Sequence, residues 1–144
     1  MALVHGSANP DQLVYVGVSE DLRARGIGTH FQTGKTGFST LRRSVGALLK
    51  EALDLTAIPR SPGASRSNVL SYKFTVDGEQ RLTRWMMDHL DVGFVVVPDG
   101  SETAEKAVIT ALEPPMNLQG WKNPQRPLLK RLRAICVAEA EQNR

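Results

Sequence analysis

Glu105 is the carboxylate in this chain whose position best suits catalysis. Val108, Ile109 and Leu112 follow it at the three-, four- and seven-residue spacings of one helix face. The carboxylate is therefore predicted to project from the inward face of a helix over 102–112. Burying an ionised carboxylate without a partner is costly, so this group needs an arginine, a metal ion or an edge position that water reaches. The alternative is that Glu105 only complements the positive end of its helix dipole.

Arg25 is the cation with a comparable position. It follows Leu22 by three residues, in a helix predicted to begin at Ser19 and to be short or bent because of Gly26 and Gly28. The side chain is expected close to the apolar stripe of that helix. From there the guanidinium either reaches water over its methylenes or binds a phosphate or a transition-state charge.

A second anion site is predicted at the start of the helix that begins at Ser39. Arg42 and Arg43 lie in its first turn, where the helix dipole makes cations mildly unfavourable. A phosphate there would accept hydrogen bonds from the hydroxyls of Ser39 and Thr40, from free backbone N–H groups and from both guanidinium groups. The alternative is that the two arginines are exposed and bind nothing.

Lys35 lies in a Gly34-Lys35-Thr36 sequence that is similar to the end of a phosphate-binding loop. Five residues separate Gly28 from Gly34, whereas that loop requires four, and no clear strand precedes it. Nucleotide hydrolysis is therefore disfavoured. Lys35 is counted instead among the basic residues that would bind a polyanion.

Positive charge is concentrated in residues 22–66, where eight cations stand against two carboxylates for a net charge of +6, while the rest of the chain carries −3. Arginine outnumbers lysine twelve to six, and the planar guanidinium suits phosphate oxygens better than a point ammonium charge. A polyanionic partner, most simply nucleic acid, is favoured. The alternative is a solvated basic face.

Length and composition narrow the class of protein. The 144 residues, of which 41% are hydrophobic and 23% charged, are predicted to form a single domain over 1–144. The longest aliphatic run is far shorter than the ~20 apolar residues that a bilayer requires, and no secretory signal is recognised, so a cytoplasmic protein without membrane contact is expected. A structural zinc site is disfavoured, because the single Cys136 and three scattered histidines give no paired ligand spacing.

The hydrophobic pattern predicts an α/β protein, of the α+β type, with a small and mostly antiparallel sheet. Strands are predicted over 2–5 and 13–18, paired as a hairpin, and over 72–76 and 92–97. Helices are predicted from Ser19, from Ser39, around the stripe of Leu82, Trp85, Met86, His89 and Leu90, over 102–112 and over 127–139. Residues 58–67, rich in Pro, Gly and Ser, are predicted to form one long flexible loop.

Several of these residues resemble the motifs of the GIY-YIG nucleases, in matching order and spacing over nearly the whole chain. Tyr15-Val16-Gly17 at a strand end is similar to the YIG tripeptide of the family. The stretch from Glu105 to Asn117, through Pro114-Pro115, is similar to the metal-ligand glutamate, helix and terminal asparagine. Arg25 matches the arginine of the helix after the tripeptide.

The resemblance implies a small central three-stranded sheet, mostly antiparallel and flanked by helices. It also implies hydrolysis of a DNA phosphodiester bond by one divalent cation, Mg²⁺ or alternatively Mn²⁺, held by Glu105 and several waters. The roles it implies are transition-state neutralisation by Arg25, orientation or deprotonation of the attacking water by Tyr15, proton movement by His30 and His5, and support by Gly17 and Asn117.

Two positions depart from the family pattern. The family carries a first tyrosine about ten residues before the tripeptide, but this chain has no tyrosine there, at or near His5 or Ala2. Val18 occupies a position at which many relatives carry lysine. A DNA-binding module that keeps the scaffold without efficient cleavage is therefore an alternative function. A protein-interaction domain whose basic face meets an acidic partner is a third. The form of the DNA and the oligomeric state are left open.

Overall fold

A computed structural model describes residues 2–6, 9–19, 28–63 and 65–144 of the chain, and for 2–6 and 9–11 it describes the backbone alone. The strands of this part are β1 (Ala2–Gly6), β2 (Asn9–Gly17), β3 (Ala57–Ile58), β4 (Lys73–Phe74) and β5 (Leu90–Phe94). Its helices are α1 (Thr40–Leu48), α2 (Arg66–Leu70), α3 (Val76–His89), α4 (Ser101–Leu112) and α5 (Arg126–Gln142). The predicted helix from Ser19 lies mostly outside the described residues.

A three-stranded antiparallel sheet of order β2-β1-β5 carries the fold. Its hairpin β1-β2 was predicted from the β-branched and aromatic run at residues 13–18, although β2 begins at Asn9 and ends at Gly17. The predicted strand over 92–97 is wrong at both ends, since β5 runs from Leu90 to Phe94. Phe94 pairs with Ala2, the first described residue of β1. The described pairing of β1 with β5 therefore ends before residues 95–97.

A second, two-stranded sheet pairs β3 with β4 and was not predicted. The loop over 58–67 is correspondingly shorter than expected, because Ile58 belongs to β3 and Arg66 begins α2. The strand predicted over 72–76 is shorter in the structure, where β4 covers only Lys73–Phe74 and Val76 is the first residue of α3. The Glu79 carboxylate of α3 accepts a hydrogen bond of 3.0 Å from the Phe74 N–H and so closes this junction.

The helices follow the predicted apolar stripes. Ser39 caps α1, since its hydroxyl oxygen accepts the Arg42 N–H at 3.0 Å, and Leu82 and Met86 of α3 are fully buried. His89, expected in that stripe, is exposed, and its ring stacks on Trp85 with centroids 4.4 Å apart. In α5, Pro127 stands in the first turn, where its missing N–H costs nothing.

Two hydrophobic clusters enclose β2. The larger one joins α1, α3, α5 and the β3-β4 pair, and Val14 and Tyr15 pack against it. The smaller one is built from Leu13, Val16 and Ile109, so it holds α4 against β2. None of the helices in the described residues is long and apolar enough to span a membrane.

Candidate functional site

An open cleft of about 940 Å³ lies where β2, α4 and α5 meet. Tyr15 enters it from β2, Glu105 from α4, and Asn117 from the segment that follows α4. Thr40, the first residue of α1, lies at its edge. The cleft therefore brings together residues from both ends of the chain.

Glu105 is half-buried on the cleft wall and forms no ion pair with any residue that the structure describes. Ile109, one turn further along α4, is buried against Leu13 and Val16 as expected. Leu112, expected on the same inward face, is 59% exposed and lies outside the cluster that holds α4 against β2. Glu105 thus occupies the edge position that a carboxylate without an ion-pair partner requires.

Tyr15 reaches the cleft over a glycine. A Cβ atom built on Gly17 would lie 3.0 Å from Tyr15 Cε1 and 3.3 Å from the hydroxyl oxygen. These separations are shorter than ordinary van der Waals contact, so the ring occupies space that any other residue at position 17 would fill. The tyrosine and the glycine of the tripeptide are therefore coupled by sterics.

Gly17→Ala is expected to displace the Tyr15 ring by a few tenths of an ångström and to lower any nuclease activity by about tenfold, because misplacement of a reacting group by 1 Å can cost about 100-fold. Thermal unfolding should change little, since Gly17 is only half-buried. Steady-state cleavage rates and melting curves of the variant and the parent protein, measured side by side, test this. Unaltered cleavage in the Gly17 variant would contradict it.

Asn117 connects the segment after α4 to β2 through hydrogen bonds. Its Oδ1 accepts the Val16 N–H at 2.8 Å and its Nδ2 donates to the Val16 carbonyl at 2.9 Å. The Met116 N–H also donates to the Val14 carbonyl at 2.9 Å. These bonds attach the segment after α4 to the backbone on both sides of Tyr15, so Asn117 is placed to hold the cleft rather than to meet substrate.

His30 is buried beside Tyr15, with the two rings edge to face and their centroids 5.5 Å apart. Its Nδ1 is hydrogen-bonded to the Ser39 hydroxyl at 2.7 Å, and its carbonyl accepts the Arg42 Nη1–H at 3.2 Å. Arg25 lies outside the described residues. The backbone of His5 pairs with Leu13 and Asp91 in the sheet, while its side chain is outside the described part.

Arg42 does not have the exposed position that a phosphate contact requires, which corrects the predicted site at the start of α1. Its side chain is 0% exposed and donates to Thr36 Oγ1 at 3.1 Å, to Thr83 Oγ1 at 3.0 Å and to Glu79 Oε2 at 2.8 Å. Burial lowers the pKa of this guanidinium and the Glu79 charge opposes that shift. Ser39 is equally buried, as the cap of α1.

The other predicted cations and hydroxyls lie nearer the surface. Thr40 is exposed and lines the cleft. Arg43 is half-buried and donates to the Gly37 carbonyl at 3.0 Å and to Thr40 Oγ1 at 3.4 Å. Lys35 is half-buried, with its Nζ 5.8 Å from the centre of the Phe38 ring. Only part of the predicted anion site is thus accessible.

The cations that line the cleft come from the C-terminal third of the chain and were missed. Lys106 of α4 and Arg126, Lys130 and Arg133 of α5 face it, whereas Glu105 is the one carboxylate among the described residues that do so. The sequence did contain a signal for them: Arg126, Lys130 and Arg133 stand at positions i, i+4 and i+7, a spacing that places three cations on one face of a helix. Counting charge by segment hid these cations, because the carboxylates in the rest of the chain outside residues 22–66 outnumber the cations there.

The cleft thus lies beside a small antiparallel sheet flanked by helices, and it holds a tyrosine and a glutamate among four cations. A family model described as the GIY-YIG catalytic domain matches residues 5–135 of the chain. The chain therefore belongs to the GIY-YIG family, whose members are nucleases that act on DNA. No curated protein and no solved structure matches it.

Proposed function

We propose that this protein is an endonuclease that hydrolyses DNA phosphodiester bonds with the help of one divalent cation. The observation that carries the proposal is the shared cleft, in which Tyr15 and Glu105 lie among four cations. A phosphodiester is an anion whose negative charge grows in the transition state, so a positively charged cleft with one carboxylate suits its binding and hydrolysis.

The residues of the cleft fit a hydrated Mg²⁺ or Mn²⁺ ion. Mg²⁺ keeps most of its waters and binds through one or two carboxylates plus substrate phosphate oxygens, and Glu105 is a half-exposed carboxylate without an ion-pair partner among the described residues. No group of three or more histidine, cysteine or acidic side chains suited to a metal occurs in the described part of the chain. When bound there, the ion would supply positive charge that stabilises the leaving oxygen.

Protein side chains perform the remaining steps. As a phenolate, which nearby positive charge must favour, Tyr15 orients the attacking water and accepts its proton to become the hydroxyl. His30, in contact with the Tyr15 ring, and His5 assist the movement of that proton. Arg25 neutralises the charge that builds on the phosphoryl oxygens. Asn117 and Gly17 position the backbone and the tyrosine ring.

DNA binding is expected to depend on the cleft-lining face of α5. Lys130→Ala and Arg126→Ala should each weaken binding to any DNA sequence and reduce the slope of log K against log salt by about 1, because each removes one phosphate contact. Arg131→Ala is the matched control, since this exposed cation on the same helix is not in the cleft. A salt titration of fluorescence anisotropy measures all three. Equal slopes in the three variants would remove α5 from the DNA site.

A plasmid nicking assay with Mg²⁺ or Mn²⁺, with and without a chelator, tests the proposed activity. Nicking that the chelator abolishes is the expected result. Retained DNA binding with no nicking on supercoiled, linear or single-stranded DNA would overturn the nuclease proposal and favour the DNA-binding module instead. Val18 and the missing first tyrosine are the features that favour that second candidate. Binding to DNA no stronger than to other polyanions would favour the protein-interaction domain.

A further inference from the structure

Phe38 is a large aromatic side chain held in an exposed position. It ends a 3₁₀ turn (Thr36–Phe38) and is 60% exposed, although Thr36 and Gly37 before it and Ser39 after it are buried. The buried neighbours fix the backbone of the turn, so the ring is presented to solvent from a rigid support. Leaving such a ring in water forgoes the stabilisation that burial of an aromatic side chain provides.

Two cations flank this ring. The Arg60 guanidinium lies 5.1 Å from the ring centre and the Lys35 ammonium 5.8 Å from it. The Arg60 stem passes so close to Gly37 that a Cβ atom there would be 2.6 Å from Arg60 Cγ, and an Arg60 Nη2–H donates to Asn68 Oδ1 at 3.4 Å. The arrangement of an aromatic ring and two cations is therefore built into the fold.

The flanked ring is connected to the cleft by further positive charge. Arg43 donates to the carbonyl of Gly37, next to Phe38, and to Thr40, which lines the cleft. Burial lowers the pKa of Arg43, and so do the charges of Arg133 and Arg60. Arg43 thus lies between a cation of the cleft and a cation of the Phe38 site.

Arg43 forms no ion pair with a carboxylate of the described residues. No carboxylate contributes to the pKa of Arg43, and its buried Nε–H has no hydrogen-bond partner among the described residues. Neighbouring like charges repel one another, and a bound polyanion relieves the repulsion. We call the row formed by Arg133, Arg43 and Arg60 the basic track.

We propose that the basic track guides one DNA strand out of the cleft and that Phe38, with Lys35 and Arg60, binds an unpaired base of that strand. Proteins that bind single-stranded nucleic acid combine a cationic groove along the backbone with aromatic rings on which bases stack, and arginine adds cation–π attraction. A base stacked within a duplex has no free face for such a ring. The preferred substrate is therefore DNA with a single-stranded segment beside the cleaved bond.

This inference rests on the proposed DNA substrate, but its test is a binding measurement that needs no cleavage. Two DNA molecules are compared by fluorescence anisotropy in the presence of a chelator. One is a fully paired duplex, and the other carries an unpaired arm of about ten nucleotides, within the site size of single-strand-binding surfaces. A 2-aminopurine base in the arm reports stacking by loss of its fluorescence.

Phe38→Ser is expected to weaken binding of the DNA with the unpaired arm by about tenfold, in line with the usual value of one base–aromatic stack. It should leave the affinity for duplex within about twofold and abolish the 2-aminopurine signal. Phe38→Trp should retain the affinity for the DNA with the unpaired arm and the 2-aminopurine signal, because it keeps an aromatic face. Phe94→Ser, at a partly exposed phenylalanine of β5, is the matched control and should change neither.

Equal weakening of both DNA molecules by Phe38→Ser would overturn the inference, since the ring would then only support the fold or the general charge of the surface. Unchanged binding of the DNA with the unpaired arm would overturn it as well. Selective weakening together with a failed nicking assay would support the base site and refute the nuclease proposal. Nicking by the parent protein without selective weakening in the Phe38 variant would support the nuclease proposal and refute the base site.

Discussion

Glu105→Gln is expected to lower the rate of metal-dependent nicking by about 1,000-fold while leaving DNA affinity close to that of the parent protein. The substitution removes the charge from the one carboxylate among the described cleft-lining residues. Stabilisation of transition-state charge by a metal ion is worth several kcal/mol, and about 4 kcal/mol corresponds to this factor. Affinity should not fall, because loss of a negative charge from a cationic cleft does not weaken its attraction for phosphates.

Glu102→Gln is the matched control for this experiment. Glu102 lies in the first turn of the same helix and is exposed, so it shares the backbone context without facing the cleft. Its neutralisation should cost α4 only a few tenths of a kcal/mol through the helix dipole. Nicking rates measured across a series of Mg²⁺ concentrations separate loss of metal affinity from loss of the chemical step. Full activity of the Glu105 variant at every concentration would show that the site assignment is wrong.

Arg42→Met is expected to lower the free energy of unfolding by about 3 to 5 kcal/mol, the usual cost of removing one partner from a buried ion pair. The carboxylate of Glu79 would remain buried. Its Oε2 now accepts hydrogen bonds from Arg42 Nη2 and from the Gly34 N–H, and only the second would remain. The hydroxyls of Thr36 and Thr83 would also lose a donor. Urea denaturation followed by circular dichroism measures the change.

Arg133→Met is the comparison that separates a structural arginine from a DNA-binding one. Arg133 lines the cleft and shows only partial burial, so its replacement should leave the free energy of unfolding within about 0.5 kcal/mol, as is usual for surface substitutions. Its DNA affinity should nevertheless fall. A stable Arg42 variant with weakened DNA binding would restore the predicted phosphate site at the start of α1.

The sequence was sufficient to predict most of the helices and the central hairpin, because these depend on local periodicity. The apolar stripe of α3 around Leu82 and Met86, the capping serine of α1 and the β-branched and aromatic run of β2 each lie within a short window. The two-stranded sheet was missed because Ala57–Ile58 and Lys73–Phe74 are too short to show a period. In the folded chain β3 contacts α5 and β4 contacts α3, and neither contact is visible within a short sequence window.

Residue types and spacing in the sequence were sufficient for the family and for the cationic character of the protein, and they predicted the tyrosine and the glutamate that the structure places in one cleft. Tertiary structure alone decided which cations are accessible, since Arg42 meets its carboxylate 37 residues away in α3. It also decided which cations surround the cleft, because bonds between Asn117 and Val16, 101 residues apart, bring the segment before α5 to β2. The physical reason is that burial and ion pairing depend on neighbours distant in the chain, whereas helix and strand periodicity depends on neighbours close in the chain.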